Sequence, residues 1–131
     1  MNDTRDRYGT EISGVVDTPW GSYEILSKND RYAVKRLIVY PGEALSLQTH
    51  VHREEHWVVA EGAAKIQLGT VTTHHTEGAH VHVPQNVPHR LSNPGKIPLH
   101  VVEVQYGSYL EEDDIVRLED KYNRHQVQGD A

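Results

Sequence analysis

The chain has 131 residues, with 13 basic against 19 acidic side chains and a formal charge of −6, so its overall field offers no general attraction to nucleic acid or anionic lipid. The length suits one domain that buries about two-thirds of the surface its unfolded chain exposes, with a small molecule as the expected partner. It contains no cysteine, which excludes a disulfide framework and every thiolate metal site and leaves His, Asp, Glu, Gln and water as donors for a metal.

The opening run MNDTRDRYGT, residues 1–10, is polar and expected to be loose, with basic side chains but no following apolar stretch of signal-peptide length. No later segment approaches a membrane span, and a cytoplasmic location without membrane or nucleic-acid partners is expected. Strands are predicted at YAVKRLIVY (32–40), HWVVAEG (56–62), AAKIQLG (63–69), AHVHVP (79–84) and LHVVEVQYG (99–107), each rich in Val, Ile or Tyr or bounded by Gly and Pro. Turn signals at Pro41-Gly42, Glu61-Gly62, Gly69, Glu77-Gly78, Asn93-Pro94-Gly95 and Gly107 favour a sandwich or barrel over alternating βα units. Near the end, EDDIVRLEDKY predicts a short C-terminal helix: Ile115, Leu118 and Tyr122 recur at helical spacing, Asp113 stands where a cap belongs, and Lys121 and Arg124 suit the C-terminal dipole. Residues 11–126 form the expected domain and 127–131 a frayed tail.

Three of the ten histidines fall in LQTHVHREEHW (47–57), beside two glutamates and a glutamine. In an extended strand alternate residues share a face, so Gln48, His50 and His52 can point into a barrel together. Glu55, beyond the charged break Arg53-Glu54, can add a carboxylate. A further donor must come from elsewhere, and His89 in VPQNVPHRLSN suits it, after two prolines that end one strand and before Leu91 begins another. His52 stands as the alternative to Gln48. His56, next to Glu55, is either a group at the rim of the site or an outer-face histidine. His74-His75 and His80-x-His82 read as surface-strand residues or adventitious metal binders.

With the glycines read as corners, two spaced patterns emerge: Gly42-x5-Gln48-x-His50-x4-Glu55-x6-Gly62 and Gly78-x5-Pro84-x4-His89-x3-Asn93. Both resemble the two motifs of the cupin superfamily, with Gln48 standing where the first histidine usually is. Pro19 to Glu24, Pro41 to Trp57, Asn93 to Pro98 and GSYLEEDDIVRLED further resemble the isomerase domain of type II phosphomannose isomerases, over about residues 18–124. That domain commonly ends a bifunctional enzyme carrying a mannose-1-phosphate guanylyltransferase, and this chain resembles its free-standing isomerase half.

The resemblance implies an all-β fold, the double-stranded β-helix or jelly-roll barrel of cupins. It implies a metal set of Gln48, His50, Glu55 and His89, a glutamine ligand also being familiar from the other phosphomannose isomerase class. The expected cofactor is one divalent ion, zinc first, with manganese, cobalt, nickel or iron admitted by the oxygen donors. The expected reaction is interconversion of mannose 6-phosphate and fructose 6-phosphate through an enediolate, with His56 or His52 as general base. Arg117 and Arg124 match tail arginines implicated in isomerase function, so Arg117 joins the expected catalytic set and both join the phosphorylated-hexose-binding set with Lys65. Lys35, Arg36, Arg53 and Arg90 are further cations near barrel strands, at least one of which must meet a buried phosphate. Another metal cupin, either a dioxygenase or a different sugar isomerase, and a non-catalytic sugar-binding module are the alternatives. Pairing through the sheets makes a homodimer the expected assembly.

Overall fold

A computed structural model describes residues 14–122, so the loose start at 1–10, the tail at 127–131 and Arg124 lie outside the described residues. The chain runs β1 (Val15–Thr18), β2 (Gly21–Lys28), β3 (Tyr32–Val39), β4 (Leu47–His50), β5 (Arg53–Glu61), β6 (Ala64–Leu68), β7 (Val71–His75), β8 (His80–Val83), β9 (His89–Ser92), β10 (Leu99–Gly107) and β11 (Ile115–Glu119). Two antiparallel sheets result, ordered β1-β2-β3-β10-β5-β8 and β11-β4-β9-β6-β7. They close on each other as the all-β jelly-roll barrel, and all five predicted strands are present. Among the described residues no helix is long and apolar enough to cross a membrane.

Period-two alternation builds this barrel. On β3, β5 and β10 every second side chain is buried, and the inward series change character along each strand. Leu37 and Val39, Trp57 and Val59, and Leu99 and Val101 make one end apolar; with Ile66, Val83 and Leu91 from the remaining strands they form the core. At the other end the same faces carry Lys35, Arg53 with Glu55, and Glu103 with Gln105, all buried. Register aligns the change of character: Glu103 stands opposite Lys35 on one side and Trp57 on the other, and Gln105 stands opposite Glu55. The barrel therefore has a dry end that stabilises it, each fully buried Leu, Ile or Val contributing about 1.5–3 kcal/mol, and a polar end left for chemistry.

The corner at Gly62 joins β5 to β6 with φ at 92°, and a Cβ there would come within 2.9 Å of the Pro98 carbonyl oxygen, so only glycine fits.

The predicted C-terminal helix is absent. Glu112–Asp114 form a single 3₁₀ turn, and Ile115–Glu119 form strand β11, with Ile115, Val116 and Arg117 opposite His50, Thr49 and Gln48 of β4. Tertiary pairing explains the change: Ile115 and Val116 are β-branched, and the open edge of β4 supplies ladder partners that outweigh a marginal short helix. Asp113 is not a cap; it accepts the Tyr109 hydroxyl hydrogen at 2.6 Å.

Candidate metal centre

At the polar end, β4, β5 and β9 bring four of the sequence-predicted residues together. Gln48 stands opposite His89 where β4 meets β9, His50 follows two residues on along the same inward face, and Glu55 enters from β5. All four are 9% exposed or less. His50 Nε2 lies 3.1 Å from His89 Nε2 and 3.2 Å from Glu55 Oε2, and His89 Nε2 lies 3.8 Å from Glu55 Oε1. The Gln48 amide N–H donates to Ser46 Oγ at 2.8 Å.

The protonation of the imidazoles follows from their surroundings. Burial first, then the Arg53 and His89 charges, push the His50 pKa down to about 3; burial also lowers that of His89. Both rings are neutral at physiological pH, so the 3.2 Å contact between His50 and Glu55 is not an ion pair. His89 Nδ1–H donates to the Val87 carbonyl at 2.9 Å, which directs its Nε2 lone pair at the cluster. Arg53 Nε donates to Glu55 Oε2 at 3.1 Å and its Nη1 to the Glu111 carbonyl at 3.2 Å, holding the carboxylate in place.

A wall of further charges continues from the cluster. Glu103 accepts from Trp57 Nε1 at 2.9 Å and from Gln105 Nε2 at 2.7 Å, and burial, reinforced by the Glu55 charge, raises its pKa to about 7. Burial opposes the charge of Lys35, but the carboxylates of Glu112, its salt-bridge partner, and Glu103 outweigh that and raise its pKa. A cavity of about 300 Å³ opens against this wall, lined by Gln48, Glu55 and His89 and by the cations Arg53, Arg90 and Arg117.

Several expectations are corrected. His52 does not share the face of His50, because β4 ends at His50: the Asp114 carboxylate takes the backbone N–H groups of Val51 and His52 at 3.2 and 3.0 Å and bends the chain. Its ring is 53% exposed with Nδ1 3.0 Å from Asp114 Oδ1, so His52 is neither ligand nor base in the cavity. His56 alternates out of phase with Glu55 and lies on the outer face, bonded to Glu54 and His80, which removes it as a cavity base. Lys65 is exposed on β6, out of phase with buried Ala64 and Ile66, and does not line the cavity. Arg117 does line it, from a strand and not from a helix. Glu103 and Gln105 were not singled out by sequence reasoning; two polar residues continuing the inward phase of Leu99 and Val101 were the signal.

The donor set suits a divalent metal. Two neutral imidazoles and a carboxylate meet at the polar end, and among the described residues His50, Glu55 and His89 group their ligand atoms within 4.8 Å, with the Gln48 side chain on the wall of the adjoining cavity.

Comparison with known proteins adds the lineage. The mannose-6-phosphate isomerase C-terminal family model matches residues 5–120. The xanthan biosynthesis protein XanB of Xanthomonas campestris is 52% identical over 109 residues, covering 83% of this chain and 23% of that protein. A mannose-1-phosphate guanylyltransferase of Escherichia coli is 48% identical over 118 residues, covering 90% of this chain and 25% of that protein. The chain thus spans about a quarter of the length of these curated relatives. In structure, a double-stranded β-helix protein from Klebsiella pneumoniae superposes with a TM-score of 0.63 at 21% identity, covering 67% of this chain and 77% of that one. The Cnp3 cupin domain of Schizosaccharomyces pombe gives 0.64 at 10% identity, covering 72% and 69%. These likenesses support the cupin fold alone. The expected mannose 6-phosphate–fructose 6-phosphate isomerase activity is overturned: relatives at about half identity are mannose-1-phosphate guanylyltransferases, of whose length this chain matches about a quarter. With the family model covering most of its length and relatives this similar, the protein has the cupin fold and belongs to the mannose-6-phosphate isomerase C-terminal family.

Proposed function

We propose that this chain is a metal-dependent sugar-phosphate-binding domain that serves a mannose-1-phosphate guanylyltransferase, with mannose 1-phosphate as its ligand. The observation that carries the reading is a cavity lined by Gln48, Glu55 and His89, the last two grouped with His50 just behind them, and by Arg53, Arg90 and Arg117. The relatives' printed names supply the sugar phosphate, and the quarter-length match supports a domain working beside the nucleotidyl-transferring part rather than performing that reaction itself.

The chemistry of the cavity favours such a ligand. A phosphate taken out of water needs charged donors, and arginine forks match its oxygens in pairs. Arg90 is held at the wall by its bonds to the Leu45 carbonyl at 2.9 Å and to Glu119, so its guanidinium is positioned before a ligand arrives. Trp20 and Trp57 add apolar faces against which the C–H side of a pyranose packs. A divalent ion held by Gln48, His50, Glu55 and His89 supplies Lewis-acid attraction for sugar oxygens, zinc being the first fit and manganese, cobalt, nickel or iron compatible with the oxygen donors. Glu103 takes up or releases a proton near neutral pH and so adjusts the charge of the wall to that of the ligand.

Titrating tryptophan fluorescence with mannose 1-phosphate and with mannose, on metal-loaded and chelator-treated protein, tests the reading. Saturable binding of the phosphorylated sugar that weakens at least about tenfold on stripping the metal is expected. Equal affinity for mannose, or binding unchanged by metal removal, refutes it.

A further inference from the structure

The outer face of the six-stranded sheet carries a second group of ligand-type side chains that the cavity does not use. Glu54 and His56 sit two apart on β5, in opposite phase to Glu55, and His82 on β8 stands directly opposite His56 in the ladder. The His56 and His82 rings stack with centroids 4.6 Å apart and planes 15° from parallel. Glu54 reaches both of them: Oε1 lies 3.2 Å from His56 Nε2, and Oε2 lies 3.2 Å from His82 Nε2. The three ligand atoms fall within 4.8 Å of one another.

These separations are those a metal needs. A tetrahedral zinc ion with bonds of about 2.0–2.1 Å holds its ligand atoms about 3.3 Å apart. Each imidazole already has that separation from one oxygen of Glu54, Oε1 for His56 and Oε2 for His82, and the half-exposed rings have room to rotate toward a shared ion. His80 completes the arrangement from the edge strand, its Nε2 3.1 Å from His56 Nδ1 and its ring parallel to that of His56 within 1°. In the tautomer whose Nδ1–H is accepted by His80, the His56 Nε2 lone pair faces Glu54 and His82, the arrangement that supporting partners of metal-bound imidazoles enforce. Carboxylate clusters alone on a surface carry no such meaning, but two cross-strand imidazoles sharing one carboxylate and oriented by a third are a donor set of the kind zinc takes in sites with an open position.

We infer that Glu54, His56 and His82 form a second divalent-metal site, for zinc or a neighbouring borderline ion such as cobalt or nickel. It is separate from the interior centre, open to water at its remaining position, and ties edge strand β8 to β5. The two sites lie back to back, since Glu55 points inward between the two outward ligands of β5.

Zinc alone is the probe. The chelator-stripped full chain, reloaded and desalted, is analysed for metal content, and affinities are measured by calorimetry for the wild type, His82→Ala, Glu54→Gln and His89→Ala. His82 and Glu54 are solvent-accessible and outside the core, so their replacement leaves the barrel intact. The expected result is one ion fewer in His82→Ala and in Glu54→Gln than in the wild type, with the outer ion retained in His89→Ala and bound with a dissociation constant below about 10 µM. Zinc is also expected to raise the melting temperature of His89→Ala but not of the His82→Ala, His89→Ala double variant. If the interior centre binds no metal, the wild type carries a single ion that His82→Ala removes and His89→Ala keeps, which still upholds the outer site. Metal content identical in wild type and His82→Ala, or an outer affinity weaker than about 100 µM, overturns it.

Discussion

Replacing Glu103 by glutamine probes the polar end of the barrel through its proton balance. Glu103 is 5% exposed, faces Trp57 and Gln105, and has a pKa raised from 4.5 to about 7 by burial first and the Glu55 charge second, against the opposing pull of Lys35 and Arg53. In the unfolded chain the carboxyl returns to its ordinary value. The folded state therefore holds an extra proton between the two values, so this contribution to stability is fully present below about pH 4.5 and is lost as pH rises through about 7. At about 1.36 kcal/mol for each pH unit separating the two values, the full span is about 3 kcal/mol, most of it falling between about pH 5 and pH 8. Glutamine keeps the shape and does not ionise. Urea unfolding of both proteins across that range, under chelator so that no metal charge intervenes, should show the wild type losing about 2–3 kcal/mol more than Glu103→Gln, since every other titration is common to the pair. Stability curves that run parallel, or a variant that loses more than the wild type with rising pH, would refute the reasoning.

Removing His89 takes away one imidazole and its bond to Val87 while the apolar end stays whole; His89→Ala should lower interior metal affinity by more than the about 10–100-fold typical of a supporting partner, with a native circular dichroism spectrum. Arg117→Ala should weaken mannose 1-phosphate binding at least about tenfold and leave metal content unchanged, whereas Lys65→Ala, on the outer surface, should leave fluorescence titrations as they were. Equal effects of these two would remove Arg117 from the ligand's surroundings. Gly62→Ala forces a left-handed residue and a 2.9 Å approach to Pro98, so it should cost at least about 1–2 kcal/mol by chemical denaturation, and a neutral result would mean the β5–β6 corner rebuilds without strain.

The strands were legible because composition and turn residues are local properties: richness in Val, Ile and Tyr marks YAVKRLIVY and LHVVEVQYG, and Gly62 marks a corner wherever the chain goes next. The period of two, carried through LQTH and REEHW, brought Gln48, His50 and Glu55 to one side, and the prolines around His89 isolated it at the start of a strand. The C-terminal segment was not legible. Ile115, Leu118 and Tyr122 satisfy a helical period as well as Ile115 and Arg117 satisfy a strand's, and the choice lay with the unpaired edge of β4, over sixty residues away in the chain.

His52 and His56 show the other limit. Each stands in or beside the right stretch, yet one carboxylate from Asp114 breaks the strand before His52, and the phase of β5 turns His56 to the outside, where His80 and His82 meet it only because β8 pairs there. Composition, periodicity and turn spacing pointed to a β sandwich or barrel with histidines sharing a face, since those depend on neighbours within a few residues, and the resemblance of the two spaced motifs narrowed that to the cupin barrel. Which polar groups share the cavity wall, the burial that keeps Glu103 protonated into the neutral range, and the cross-strand meeting of Glu54, His56 and His82 depend on register between distant strands, and only the tertiary structure decided them.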